Sequence, residues 1–148
     1  RWVVAGLAAS LRGYGIYAAA GFGGIPWEGG AAAGGWGVLG VVVVVAAGVG
    51  AAHYATLRSV PPELQIPVVA YVVVISALLV AGIATVAFGA PTAENALFLV
   101  AALSLYSSDA LIAHNLFRRP LVAAELWIMP TYYVGQCAVA GALIVMSG

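Results

Sequence analysis

The stretch Leu105-Tyr106-Ser107-Ser108-Asp109-Ala110-Leu111-Ile112-Ala113-His114-Asn115 sets one carboxylate inside an apolar run that begins near Ala96 and meets no other charge until Arg118. A run of that length and composition reads as a membrane-spanning helix. At a rise of about 1.5 Å per residue, Asp109 lies roughly 13 Å along the helix axis from Arg118 and roughly 22 Å from Glu94, well within a ~30 Å hydrocarbon layer. Placing an ionisable group at such depth costs about 2.5 to 3.5 kcal/mol on insertion scales, so a retained one points to a functional site.

The rest of the chain agrees with a membrane reading. It has 148 residues, of which 64% are hydrophobic and 7% charged, and its mean hydropathy is +1.10; soluble domains are about 25% charged. Five Arg, no Lys and five acidic residues leave zero formal charge, which excludes the basic footprint of a nucleic-acid binder. Cys137, the single cysteine, has no intramolecular partner and reads as a small buried hydrophobe. Arg12 interrupts the opening apolar run, so that run reads as a span rather than a signal peptide, and the absence of an initiator Met suggests an N-terminal portion lying before it.

Five apolar runs are long enough to span: Trp2 to Phe22, Gly35 to Ala52, Ile66 to Phe88, Ala96 to Asn115 and Leu121 to Met146. Because lipid leaves no backbone group without an internal partner, all five read as helices, even the β-branched Val41 to Val45. The expected fold is a single all-α, polytopic transmembrane bundle. Its connections carry the Gly and Pro of turns, as in Gly23-Gly24-Ile25-Pro26, Val60-Pro61-Pro62, Gly89-Ala90-Pro91 and Arg118-Arg119-Pro120. Alternating the spans collects Arg1, Arg58, Arg118 and Arg119 on one face and Glu28 and Glu94 on the other, and the positive-inside rule makes the arginine face cytoplasmic. Arg12, near mid-membrane, either snorkels or pairs inside the bundle.

Two runs carry polar faces. On the fourth, Ser104, Ser108 and Asn115 fall within about 40° of one another and Asp109 about 100° away. Such a face must meet other helices or a wet cavity; Ser and Asn there read first as glue between helices, whereas a carboxylate asks for more. On the fifth, Glu125, Met129, Tyr132 and Gln136 share a face that Pro130 interrupts, and a kink there would open a cavity. Glu125 could equally form an interfacial ion pair with Arg118 or Arg119. Tyr14, Tyr17, Tyr71 and Tyr132 lie within runs, not only at their ends, and so exceed an interfacial aromatic belt.

Several chemistries drop out. Without Lys there is no retinal-type Schiff base. His53, His114 and Cys137 lack the spacing of a three-ligand zinc site, and neither a Gly-x-Ser-x-Gly elbow nor a phosphate-binding Gly-x-x-x-x-Gly-Lys loop occurs. Ser108 and His114, six residues apart on one helix, face different directions and make a poor nucleophile and base.

Ser108-Asp109-Ala110-Leu111-Ile112-Ala113-His114-Asn115 followed by Thr131-Tyr132-Tyr133-Val134-Gly135-Gln136 resembles the last two helices of the YhhN, or lysoplasmalogenase, family of multi-helix membrane proteins. Pro67 through Tyr71, and more weakly Ala5 through Tyr17, resemble earlier helices of that family. The resemblance implies about eight helices, of which these would be the last five, and an intramembrane aspartate of an earlier helix would supply a second carboxylate. Tyr14 stands where the family often has a His. Characterised members cleave the vinyl-ether bond of lysoplasmalogens to a fatty aldehyde and a glycerophospho-alcohol, which implies a lysophospholipid partner, the bacterial inner membrane as location, and neither cofactor nor metal. Vinyl-ether cleavage begins with protonation of carbon and needs a carboxylic acid, and removal from water favours the neutral form of a carboxyl group, which suits Asp109 to the acid role. The residues expected around substrate are Ser108, Tyr132, Tyr133, Gln136, Tyr71, Tyr17 and Asn115. The alternative is a non-enzymatic lipid-binding or transport protein using Asp109 as a proton or cation site; a purely structural subunit would pair Asp109 with Arg12.

Overall fold

A computed structural model describes residues 2–23, 44, 48–49, 51 and 53–147, with the side chains of 2–5, 7, 146 and 147 left aside. Among them all regular structure is helical: α1 (Trp2–Gly23), α2 (Pro62–Phe88), α3 (Ala93–Phe117) and α4 (Ala124–Ser147), with a short helical segment at 53–57 ahead of α2. The expected span Gly35 to Ala52 lies almost wholly outside the described residues. Pro62–Phe88, Ala93–Phe117 and Ala124–Val145 are long and apolar enough to cross a membrane. The chain is thus an all-α, multi-pass integral membrane protein.

The helix ends follow local chemistry. Pro61 and Pro62 open α2 where a missing N–H costs nothing, and Glu63 occupies its first turn. The Thr92 hydroxyl caps α3 by accepting from the Asn95 N–H at 3.3 Å, and Glu94 adds its charge to that positive helix end. Pro130 does not break α4, which runs through it. Beside it the Thr131 hydroxyl donates to the carbonyls of Trp127 at 2.8 Å and Ile128 at 2.9 Å, keeping those polar groups bonded inside the helix.

Side-chain proximities give the directions. Positions 6 and 10 of α1 share a cavity wall with Val68 and Tyr71 of α2, whereas Gly21 lies near Ala81; α1 and α2 are therefore parallel, and the chain leaves one at the face opposite to that where it enters the other. Gly82 against Ala102 makes α3 antiparallel to α2, and Gly135 against Leu105 makes α4 antiparallel to α3. The arginines that bracket these helices, Arg58, Arg118 and Arg119, consequently lie at one end of the bundle and Glu94 at the other, while Arg12 is exposed on α1.

The core is assembled from Tyr14 and Ala18, Ile75 and Leu78, Ala101, Ala102 and Leu105, Ala138 and Val139, one contribution from each helix. Small residues predominate where the axes approach, as expected when helices associate through close packing rather than by escaping water. The outside is apolar: Ile66, Leu126, Ile144 and Ile16 are all largely exposed. Cys137 belongs to this outer surface, which corrects the expectation of a buried hydrophobe; in lipid an apolar side chain gains little by turning inward.

Candidate active site

Asp109 projects from α3 into the bundle. The phenols of Tyr14 on α1 and Tyr71 on α2 both neighbour its carboxyl group and interact with its charge. The two rings lie 6.0 Å apart, centroid to centroid, with planes inclined by 51°. Tyr14 is almost fully buried, and Tyr132 of α4 adds a third phenol to its electrostatic neighbourhood. The Oδ2 oxygen of Asp109 is shut off from solvent and has no hydrogen-bond partner among the described residues. Asp109 and Arg12 form no ion pair among the described residues, so the arrangement expected of a purely structural subunit is not the one observed.

Asp109 and Tyr71 line a cavity of about 250 Å³ that continues along α3 past Ala113 to Phe117, against Val68 and Ile75 of α2. Its walls are largely aliphatic. The polar exceptions besides Asp109 and Tyr71 are Ser10, His53 and Tyr106. His53 Nε2 and the Tyr106 hydroxyl are 2.8 Å apart, and the two rings meet edge to face at 5.6 Å. A cavity of this make-up can take an alkyl chain along its length and present one carboxyl, phenols and an imidazole to a polar atom beside it.

The other residues expected at the site go to different places. Ser108 is wholly buried and its hydroxyl donates to the Ile128 carbonyl at 3.2 Å, tying α3 to α4. Asn115 accepts from the Leu121 N–H at 2.8 Å and closes the turn through Arg118-Arg119-Pro120. Tyr17 lines a second, smaller cavity of about 110 Å³ near Glu94. Tyr133 is exposed on α4 with its ring against Tyr132 at 5.8 Å. Gln136 is half-buried, and Glu125 is exposed with no ion pair among the described residues. Reading the sequence alone left Tyr106 and His53 unassigned to the site. Tyr106 precedes Asp109 by three positions and so shares its helix face, a signal present in the sequence; nothing local could pair His53 with it across fifty-three residues. No three His, Cys, Asp or Glu side chains converge as a metal site among the described residues.

An integral membrane bundle with a buried carboxyl group facing an apolar cavity defines the general class. The model of the YhhN family matches residues 1–143, and the chain belongs to that family. Among curated proteins and among solved structures, no match to the chain was found.

Proposed function

We propose that the protein hydrolyses the vinyl-ether bond of a single-chain plasmalogen within the membrane, with Asp109 as the acid. The observation that supports it most is the placement of that one carboxyl group, flanked by two phenols at the wall of an aliphatic cavity inside a YhhN-family bundle.

In this reading the alkenyl chain lies in the cavity along Ala113 and Phe117, and the vinyl ether sits beside Asp109. The carboxylic acid transfers its proton to the vinyl carbon remote from oxygen. The electron pair of the double bond forms the new C–H bond, and the ether oxygen shares the positive charge as an oxocarbenium ion. The carboxylate left behind stabilises that cation at short range in surroundings where charges are poorly screened. Tyr14 and Tyr71, flanking the carboxyl group, orient it and share its developing charge. Water then bonds to the cationic carbon, and collapse of the resulting hemiacetal gives aldehyde and alcohol. The arginine end of the bundle faces the cytoplasm.

The test is release of fatty aldehyde from a lysoplasmalogen by the purified full-length protein, with a saturated alkyl-ether lysolipid as control. Cleavage of the first alone is expected. Cleavage of neither would turn the reading over to lipid binding or to proton or cation transport through Asp109.

A further inference from the structure

Protonating a vinyl ether is half of the reaction; water must still be deprotonated as it adds, and the cavity that Asp109 lines also contains a hydrogen-bonded imidazole and phenol. Tyr106 is one turn from Asp109 on the same helix face, a rise of roughly 4.5 Å, and its hydroxyl meets His53 Nε2 at 2.8 Å. His53 is buried, with 7% of its surface exposed, so it is not a solvated surface histidine. The cavity the two share with Asp109 is, at about 250 Å³, far larger than one water needs.

We propose that Tyr106 and His53 form the water-activating relay of the site, resting on the vinyl-ether reading above. In the tautomer with hydrogen on Nδ1, His53 Nε2 accepts from the Tyr106 hydroxyl. A water held against the phenol oxygen attacks the oxocarbenium carbon. As its O–C bond forms, its proton passes to the Tyr106 oxygen and the phenol proton passes to His53 Nε2, leaving a neutral hemiacetal, imidazolium and the Asp109 carboxylate. Collapse reverses the traffic: the relay returns a proton to the departing glycerol oxygen as the C–O bond breaks, and the hemiacetal hydroxyl gives its proton to Asp109. Both groups end as they began, and one water has been consumed. Asp109 serves the carbon and Tyr106 serves the water, a division of roles for which acid and base normally come as a pair.

This arrangement makes the two halves separable in heavy water. If capture is slowed, the oxocarbenium ion returns its proton to Asp109, and deuterium from solvent enters the vinyl carbon of unreacted substrate. In nanodiscs in heavy water, the full-length wild-type protein is expected to release aldehyde with little deuterium in recovered lysoplasmalogen. His53→Gln, which keeps an acceptor for Tyr106 but no base, and Tyr106→Phe are each expected to lose about 10²-fold in aldehyde release while deuterium accumulates in recovered substrate. Unchanged aldehyde release in these variants would overturn the relay. So would loss of release with no deuterium incorporation, since that is what damage to the fold or to the acid step produces, and Asp109→Asn supplies that pattern for comparison. Absence of aldehyde from the wild type would instead bring down the vinyl-ether reading, and the relay with it.

Discussion

Asp109 was legible at the scale of a single residue because its cost is local: any carboxyl group some 13 Å deep in hydrocarbon must be compensated, whatever surrounds it. The serine beside it shows where such reading stops. A buried hydroxyl in a membrane helix is equally satisfied by a substrate or by a neighbouring carbonyl, and Ser108 has taken the carbonyl of Ile128. Asn115 likewise reads as a polar wall residue yet clamps a turn. The phenols of Tyr14 and Tyr71 come from helices whose register against α3 no local pattern records. Ser108→Ala is therefore expected to cost about 0.6 kcal/mol, the mean for interhelical hydrogen bonds in a membrane, seen as a small fall in the thermal midpoint in detergent. Aldehyde release per folded molecule should stay near wild type, and a loss of tenfold or more would return Ser108 to the site.

Whole elements were easier to read than the contacts between them. Hydropathy and turn residues placed the spans at Ile66 to Phe88 and Ala96 to Asn115, against helices at Pro62–Phe88 and Ala93–Phe117; the discrepancies are polar first turns, which apolar runs do not register, and the two residues Leu116 and Phe117 after the polar Asn115. Pro130, where the sequence suggests a kink, lies inside a helix that continues through it, and the hydroxyl of the next residue binds two carbonyls there. Helix contacts depend on where a missing side chain lets backbones meet. A Cβ built on Gly82 would stand 2.6 Å from the Ala102 Cβ, and neither atom can rotate away, so α2 and α3 would have to separate. At Gly135 the obstacle is mainly the Leu105 side chain at 2.6 Å, which can turn. Gly82→Ala is accordingly expected to destabilise by about 1 to 3 kcal/mol, the usual cost of overpacking, and more than Gly135→Ala, by thermal unfolding in detergent. Equal midpoints would mean that α2 and α3 adjust more freely than their packing indicates.

For the molecule as a whole, composition fixes the inside-out arrangement of small residues within and aliphatic ones outside, and charge placement fixes the topology to be tested. With α1 and α2 parallel, and α3 and α4 alternating after them, single cysteines at positions 63 and 118, in a Cys137→Ser background, should react with an impermeant maleimide from the same face, and one at position 94 from the other. Labelling of 94 and 118 from one side would contradict the bundle. What the sequence could not disclose at this scale is convergence: α1, α2, the segment at 53–57 and α3 bring Tyr14, Tyr71, His53 and Tyr106 around a carboxyl group recognised in isolation. The central claim is that this carboxyl group protonates a vinyl ether, and the most direct measurement compares aldehyde release from lysoplasmalogen by full-length wild type and by Asp109→Asn. The amide keeps the shape but has no acidic proton, so at least about 10²-fold should be lost while the variant inserts and retains the wild-type thermal midpoint to within a few degrees. Wild-type turnover by a folded Asp109→Asn protein would contradict the claim.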